Sequence, residues 1–322
     1  MTSPNSDQAA ILKQRQKLMQ TARGFRAAKI LMTCVEMGVF QAVAQGARTA
    51  EQIASTIGAD VRGTELLLNA AVPLGWLEKK ENRFFNTTVT QTFLVPGGPA
   101  FFVETLKLES AFYRRWDYLA KAVKTGKRPD ENMADEQPQD WVRRFQQALY
   151  DMARPIAPWV AEALARRYPR LQATVYELPR VVPVTREIIN REGMSERVLV
   201  QEGDFQRGGL GRDFDDLLLF GVLNGEPPEG RPALIRKAFA ALKPGGRLYL
   251  RDFVLDPDRA GPLDAAVFAL QMLLSTEAGG LNTRDEWAEW LSAAGFGPMT
   301  EIPLPDWIGV SLNVAKKPNH LL

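Results

Sequence analysis

The fold of this chain is decided by Ala173-Thr-Val-Tyr-Glu-Leu-Pro-Arg-Val-Val182 and by the run that follows it, Arg197-Val-Leu-Val-Gln-Glu-Gly-Asp-Phe205. The first run predicts a buried strand that ends at an acid, and then a helix over about 184–191. The second predicts another strand, which ends at Gly203-Asp204. Two parallel strands that flank a helix, each followed by a carboxylate, form half of a nucleotide-binding βαβ unit, in which the carboxylates accept hydrogen bonds from ribose hydroxyls.

The other half of such a unit is missing from the sequence. A strand and a glycine-rich turn normally lie about 20 residues before the first acid, where the backbone approaches the cofactor at a helix N-terminus. No glycine occurs from Lys127 to Glu192. Where the turn is expected, the chain has the helical pattern Met152-Ala-Arg-Pro-Ile-Ala-Pro-Trp-Val-Ala-Glu-Ala-Leu-Ala-Arg-Arg-Tyr-Pro169. The sequence therefore predicts a sheet that is one strand short.

The composition indicates a small-molecule partner. A chain of 322 residues with 45% hydrophobic content is long enough for two domains. Its 40 basic and 38 acidic residues leave a net charge of +2. This balance argues against an electrostatic contact with nucleic acid or with a membrane surface.

The single cysteine and the single histidine exclude several kinds of site. Cys34 is the only cysteine, so the chain has no intrachain disulfide and no zinc site made of cysteines. His320 is the only histidine and lies beside the C-terminus, so we expect no histidine general base and no metal site. The first residues resemble no signal peptide, and no apolar run is long enough to cross a bilayer. We therefore expect a cytoplasmic protein.

The first part of the chain has the pattern of a winged helix. Helical periodicity, capping residues and short β-like pieces predict helices over 8–44, 50–56 (capped by Thr49) and 61–72, and a hairpin with strands at 77–78 and 84–85. The helix that would read DNA begins Val61-Arg-Gly-Thr-Glu, with one base and one acid. Because it has no charge with which to neutralise phosphates, we expect a protein–protein module that does not bind DNA.

The rest of the chain is first helical and then alternates between strands and helices. A helical pattern over 101–159 is interrupted by the polar segment 124–140. Strands are predicted at 216–220, 247–255, 299–303 and 308–315, and helices at 231–242, at a segment ending near 275, and at 283–294. This alternation predicts an α/β domain with a largely parallel sheet.

In this order, the motifs resemble those of the S-adenosylmethionine-dependent O-methyltransferases found among plant phenolic enzymes and bacterial tailoring enzymes. The motifs are Glu177-Leu-Pro-Arg-Val-Val182, Gly203-Asp204-Phe205, Leu242-Lys-Pro-Gly-Gly-Arg247, Gly279-Gly280 and Ala293-Ala-Gly-Phe296. The resemblance implies a homodimer with a winged-helix dimerisation domain over 1–97, a helical connector that contributes to the pocket over 98–160, and a Rossmann-like domain over 161–322.

The resemblance also implies roles for individual residues. Glu177 would bind the ribose hydroxyls of S-adenosylmethionine, and Asp204 and Phe205 would flank its adenine. The family's catalytic histidine falls at Asn224, and a neutral amide cannot accept a proton at working pH. Of the two acids that hold that histidine in the family, Asp252 occupies one position.

The reaction implied by the resemblance is methyl transfer to a hydroxyl of a small, aromatic substrate. Its pocket would have apolar walls from Trp116, Met152, Phe220 and Met272. Two alternatives remain open at this point: a repurposed enzyme for a rearrangement or cyclisation, in which Asn224 supplies a hydrogen-bond donor, and a degenerate dimer partner or ligand-binding protein. A third interpretation is that an error in the gene model removed the missing strand.

The missing strand leads to one further expectation about the sheet. An open strand edge that is buried leaves unpaired N–H and C=O groups, at a cost of about 1 to 3 kcal/mol each. We therefore predict that the strands at 174–177 and 216–220 pair directly with each other. The crevice at Glu177 would then be narrower, binding of S-adenosylmethionine weak or absent, and Asp204 exposed rather than engaged.

Overall fold

The computed structural model describes residues 6–129, 138–153, 168, 170–305 and 308–319. These residues fall into two compact units, of which the first comprises 1–111 and 140–171 and the second 112–139 and 172–322. The domain limits expected from the sequence, at 97 and 160, stay predictions. The direct junction of two helices around Trp159 lies outside the described residues.

The first unit is helical apart from one hairpin. Its helices are α1 (Ser6–Arg23), α2 (Phe25–Glu36), α3 (Val39–Ala44), α4 (Ala50–Ile57), α5 (Val61–Ala71), α6 (Thr88–Phe93), most of α7 (Val103–Trp116) and α9 (Pro138–Ala153), and its hairpin joins β1 (Leu77–Lys80) to β2 (Arg83–Asn86). The predicted order of helix, turn, helix and hairpin is confirmed.

Local chemistry explains where these elements begin and turn. The Thr49 hydroxyl accepts from the amide of Gln52 at 3.3 Å, and the Gln52 side chain accepts from the Thr49 amide at 3.2 Å, so α4 begins with a capping box. Between β1 and β2, Glu81 and Asn82 have φ values of 47° and 60°, the left-handed pair that a two-residue hairpin turn requires.

The second unit alternates helices and strands. Its elements are α8 (Leu119–Thr125), β3 (Ala173–Glu177), α10 (Val182–Arg191), β4 (Val198–Glu202), β5 (Phe214–Phe220), α11 (Gly230–Ala241), β6 (Leu242–Asp252), β7 (Val254–Leu255), α12 (Leu263–Ser275), β8 (Asn282–Thr283), α13 (Arg284–Ala294), β9 (Thr300–Ile302) and β10 (Ser311–Lys316). The predicted helix cap at Thr283 is confirmed, because its hydroxyl accepts from the Glu286 amide.

A four-stranded sheet forms the centre of this unit, in the order β5-β6-β10-β9. Strands β5 and β6 are parallel, with Leu219 opposite Leu250, while β10 runs antiparallel to both β6 and β9. Helices α11 and α13 cover one face of this sheet. Their fully buried side chains Ile235 and Trp287 pack with Leu248 and Leu250 of β6 in one core.

The predicted pairing of the strands at 174–177 and 216–220 is wrong. Strand β3 pairs in parallel with β4, from Ala173 opposite Val198 to Glu177 opposite Glu202, and these two strands form a sheet of their own. Strand β5 pairs with β6 alone. Among the described residues, no strand pairs with both β3 and β5.

The prediction that β3 pairs with β5 assumed that the open edges of these strands are buried, and they are not. Ala173 and Thr174 at the start of β3 are exposed. On β5, Leu218 is 60% exposed and Phe220 44% exposed. Water can reach these strands and bond their backbone groups, so leaving the edges unpaired does not carry the cost of burying unpaired N–H and C=O groups.

Candidate functional site

Asn224 and Asp252 lie together where two parallel strands end. Asp252 is the last residue of β6, and Asn224 lies in a 3-10 turn, Leu223–Gly225, just after β5. Parallel strands bring their carboxyl ends to the same edge of a sheet, where ligands of such sheets commonly bind. The Asn224 Nδ2 donates to Asp252 Oδ1 at 2.9 Å, and the two residues are 8% and 5% exposed.

Burial changes the acid chemistry of Asp252. Loss of solvent raises the pKa of its carboxyl group to about 6, although hydrogen bonds from the Phe253 amide, at 2.8 Å, and from Asn224 oppose that rise. Asp252 is therefore a carboxylate that takes up a proton only slightly below neutral pH. This is the range in which a side chain serves as a general base.

Glu177 occupies the corresponding position at the end of β3. Its side chain is partly buried, and this burial raises the pKa of its carboxyl group, with an opposing contribution from the Leu178 amide. The Glu177 carbonyl oxygen accepts from the Gly203 amide at 2.9 Å, which holds the two acidic motifs side by side. Gly203 has no room for a side chain, because a Cβ there would overlap the hydroxyl of Tyr176.

Asp204 and Phe205 lie in the loop after β4. Asp204 is partly buried, its Oδ1 accepts from the Gln206 amide at 2.9 Å, and its Oδ2 lies 3.5 Å from the Arg207 guanidinium. The expectation that Asp204 is exposed is therefore wrong, because a local turn holds its carboxylate, while its engagement with the cofactor stays a prediction. Phe205 is partly buried and packs against the core of the second unit.

One side-chain contact joins this loop to the turn that carries Asn224. Gln206 Nε2 donates to both carboxylate oxygens of Glu226, at 3.1 Å and 3.2 Å, and Glu226 is 7% exposed. This contact links the loop that follows the second acidic motif to the segment that directly follows the Asn224 turn.

The expected pocket residues Trp116 and Met272 also belong to the second unit. Trp116 Nε1 donates to Gln271 Oε1 at 2.7 Å, which ties α7 to α12, and Gln271 is 7% exposed. The segment after Met272 runs back to the turn that carries Asn224. Thr276 donates to the Met272 carbonyl oxygen, and Gly279 packs directly on the Asn224 carbonyl.

The other two expected pocket residues are placed differently. Phe220 ends β5 only four residues before Asn224, and its ring is 44% exposed. Met152 lies in the last turn of α9 in the first unit, and its side chain lies outside the described residues. The pocket role of these residues stays a prediction.

Several polar residues around the Asn224 turn belong to none of the sequence motifs and were not predicted. They are Gln206, Glu226, Arg231, Gln271 and Asn282. Gln271 had one usable signal, because it is the only polar residue within the apolar run Ala265 to Leu274 of α12. A lone amide on an otherwise apolar helix needs a hydrogen-bond partner when it is buried.

Neither a metal centre nor a membrane span is found in the part of the chain that the structure describes. No three His, Cys, Asp or Glu residues of the described ranges are grouped in a way that would hold a metal ion. No described helix combines the length and apolar character that crossing a bilayer requires.

Comparison with known proteins identifies the family. The O-methyltransferase dimerisation domain matches residues 19–96, and the O-methyltransferase domain matches residues 147–297. An acetylserotonin O-methyltransferase of Mus musculus molossinus is 30% identical, over 87% of this chain and 83% of its own length. The chain belongs to the O-methyltransferase family.

Two further relatives support this assignment. A 3-hydroxy-5-methyl-1-naphthoate 3-O-methyltransferase of Streptomyces sahachiroi is 28% identical, over 86% of this chain and 88% of its own length. The structure of human N-acetylserotonin methyltransferase in complex with SAM superimposes with a TM-score of 0.80 at 26% identity, covering 99% of this chain and 100% of that chain. The predicted α/β methyltransferase fold with a helical dimerisation domain is confirmed.

The alignment also contains gaps. The match to the Mus musculus molossinus enzyme runs over 322 positions but covers only 87% of this 322-residue chain, so that enzyme has positions with no counterpart here.

The raised pKa of Asp252 predicts a pH-dependent stability. The folded state favours the neutral form of Asp252 more than the unfolded state does. The contribution of Asp252 to the free energy of unfolding is therefore complete below the ordinary pKa of 3.8 and is lost as the pH rises through about 6. Relative to the Asp252→Asn variant, we expect the free energy of unfolding of the parent protein to fall by about 3 kcal/mol between pH 3.5 and 7.5. Denaturant unfolding of both proteins across this range measures the difference. The exposed Asp256→Asn serves as control, and a difference that does not change with pH would contradict the assignment.

Proposed function

We propose that this protein transfers a methyl group from S-adenosylmethionine to a hydroxyl of a small aromatic substrate. The observation that carries the proposal is the buried Asn224–Asp252 pair, with its 2.9 Å hydrogen bond, at the carboxyl ends of β5 and β6. Relatives that match along most of the chain support it, and they do not favour a degenerate dimer partner. The cytoplasmic location and the absence of nucleic-acid binding stay predictions.

The acids of the site fit the nucleoside part of S-adenosylmethionine. Glu177 offers a partly buried carboxylate at the end of β3, with two oxygens to accept from the two ribose hydroxyls. Asp204 is already oriented by the Gln206 amide, and its loop lies directly beside the Glu177 carbonyl through Gly203. This pair of acids supports binding through the ribose and the adenine side, while the sequence lacks the glycine-rich turn for the remaining part.

The chain's own residues would position the acceptor and take its proton. S-adenosylmethionine supplies an electrophilic methyl group when it is bound. Because the Asn224 amide nitrogen donates to Asp252, its amide oxygen is the atom left to accept a hydrogen bond from the substrate hydroxyl. Asp252, with its pKa of about 6, is the group of this pair that can hold the released proton. Asn224 orients the acceptor and Asp252 receives the proton.

The aromatic class of the substrate rests on the pocket and on the relatives. If Trp116 and Met272 line the pocket, their flat ring and flexible thioether would favour contact with a planar apolar group. The relatives' names include acetylserotonin and a hydroxynaphthoate, and each of these carries a fused aromatic ring system.

We also propose a homodimer. Every residue of α1 whose side chain is described is exposed in the single chain, including Ile11, Leu12 and Leu18 at 64%, 54% and 72%. A long helix with so much exposed apolar surface needs a partner to cover it. The match to a dimerisation domain over 19–96 indicates a second copy of this chain.

The cofactor assignment predicts the effect of one neutralising substitution. Glu177→Gln removes the charge that strengthens hydrogen bonds to the ribose, so we expect the affinity for S-adenosylmethionine to fall by about 10-fold to 100-fold. Isothermal titration calorimetry measures it. The control is Glu202→Gln, because Glu202 is the exposed register partner of Glu177 on β4. Equal affinities of the two variants would refute the role of Glu177.

The absence of a catalytic histidine predicts a gain of activity. Asn224→His places a base where the Asp252 carboxylate can hold its ring, so we expect the rate of methyl transfer to rise by on the order of 10²-fold. A radiometric assay with S-adenosylmethionine and a hydroxynaphthoic acid tests it. Asn224→Ala, which removes the amide, should be slower than the parent. Methylation by none of the three proteins would overturn the proposed function.

The homodimer is tested by one charge on α1. Leu18→Glu places a carboxylate on the exposed apolar face, where burial against a second copy becomes unfavourable. Sedimentation equilibrium at micromolar concentration should show a dimer for the parent and for Val123→Glu, a matched substitution at a residue that is 61% exposed on α8. The Leu18→Glu variant should be largely monomeric. A parent protein that is already monomeric removes this proposal.

A further inference from the structure

Arg231 is a buried cation in an unfavourable place. It is the second residue of α11 and is 6% exposed. The first turn of a helix carries the positive end of the helix dipole, where a cation is locally disfavoured. A guanidinium also keeps its proton when it is buried, so its charge has to be compensated by hydrogen bonds and nearby acids. Both the helix position and the burial of Arg231 are unfavourable for a cation, so its contacts have to compensate for them.

The contacts of Arg231 join two segments of the site. Its Nε donates to the carbonyl oxygen of Glu226 at 2.9 Å, and one terminal nitrogen donates to Asn282 Oδ1 at 2.7 Å. Glu226 directly follows the turn that carries Asn224, and Asn282, 2% exposed, begins β8. The planar fork of the guanidinium therefore bridges the Asn224 turn and β8.

The same two segments also touch next to Arg231. The Gly280 amide donates to the Asn224 carbonyl oxygen at 2.8 Å. A Cβ on Gly280 would lie 3.3 Å from the other terminal nitrogen of Arg231, so the guanidinium occupies the space beside this glycine. The backbone of the Asn224 turn is thus held by Gly280 on one side and by Arg231 on the other.

We infer that Arg231 is a positioning residue, which fixes the turn 223–226 against β8 so that the Asn224 amide stays aimed at Asp252. Arg231 acts through Asn224 and does not itself contact the acceptor. This inference rests on the proposed function for its catalytic consequence, while its structural content concerns the orientation of one amide.

Electrostatics agree with a role in holding rather than in chemistry. Desolvation lowers the pKa of the Arg231 guanidinium, and the carboxylates of Glu286, Asp252 and Glu226 oppose that shift. Acids on three different segments therefore offset part of the cost of burying this charge, while the nearby Arg259 adds to that cost. A side chain held in this way is a fixed support, and it is not a proton donor.

Steady-state kinetics test the inference with three single variants. Arg231→Met keeps the aliphatic stem and removes the fork, and Arg231→Lys keeps the charge but lacks the rigid planar fork that reaches both acceptors. We expect both to lower kcat by about 10-fold to 100-fold, because a displaced group near the reacting atoms loses this much. The KM for S-adenosylmethionine should change less than twofold. The control Arg236→Met makes the same change at an exposed position of α11 and should match the parent.

A double-mutant cycle distinguishes positioning from general support of the fold. If Arg231 acts through Asn224, the double variant Arg231→Met/Asn224→Ala should be no slower than Asn224→Ala alone. Additive losses of kcat would overturn the inference, and so would an Arg231→Met enzyme whose kcat equals that of the parent.

A measurement without turnover keeps the inference testable if the protein proves to have no methyltransferase activity. In a ¹⁵N-correlated NMR spectrum, the side-chain amide of Asn224 is assigned by its loss in Asn224→Ala. In the parent we expect two sharp, well-separated amide protons, and in Arg231→Met a broadened or collapsed pair. An unchanged Asn224 signal in Arg231→Met would refute the positioning role, whatever the activity.

Discussion

The parallel pairing of β5 with β6 is the constraint on which the site depends. Leu219 lies opposite Leu250 and Phe220 opposite Arg251, so the two strands end together. Because of that register, a residue four positions after β5 and the last residue of β6 come within one hydrogen bond of each other. A slip of one residue would turn the alternate side chains of β6 to the opposite face and separate Asn224 from Asp252. The buried leucines of these strands make such a slip costly.

The chemistry of the Asn224–Asp252 pair follows from its burial. An amide beside a carboxylate in water would leave that carboxylate with its ordinary acidity. Here the loss of solvent around Asp252 outweighs the hydrogen bonds from Phe253 and Asn224 and brings its pKa to about 6. In this member of the O-methyltransferase family, the carboxyl group beside Asn224 therefore titrates close to neutral pH.

The described strands of the second unit do not form one continuous sheet. The β3–β4 pair forms a sheet separate from the one that contains β5. Glu177, at the carboxyl end of β3, lies beside Gly203. The contact of Gln206 with Glu226 then links this pair to the main sheet through the loops at their carboxyl ends. Leu218 and Phe220 of β5 are exposed.

The sequence determined the elements of this protein because their signals are local. Thr49 and Thr283 mark helix starts through their own capping boxes, Glu81 and Asn82 form the hairpin turn, and alternation of strands and helices indicates an α/β domain. The order of its motifs also indicated the family. Only the tertiary structure decided that β3 stays apart from β5, because the cost of an open edge depends on whether water reaches it. It also decided the contacts of Gln206, Gln271 and Arg231, since their partners Glu226, Trp116 and Asn282 are far away in sequence and leave no local pattern.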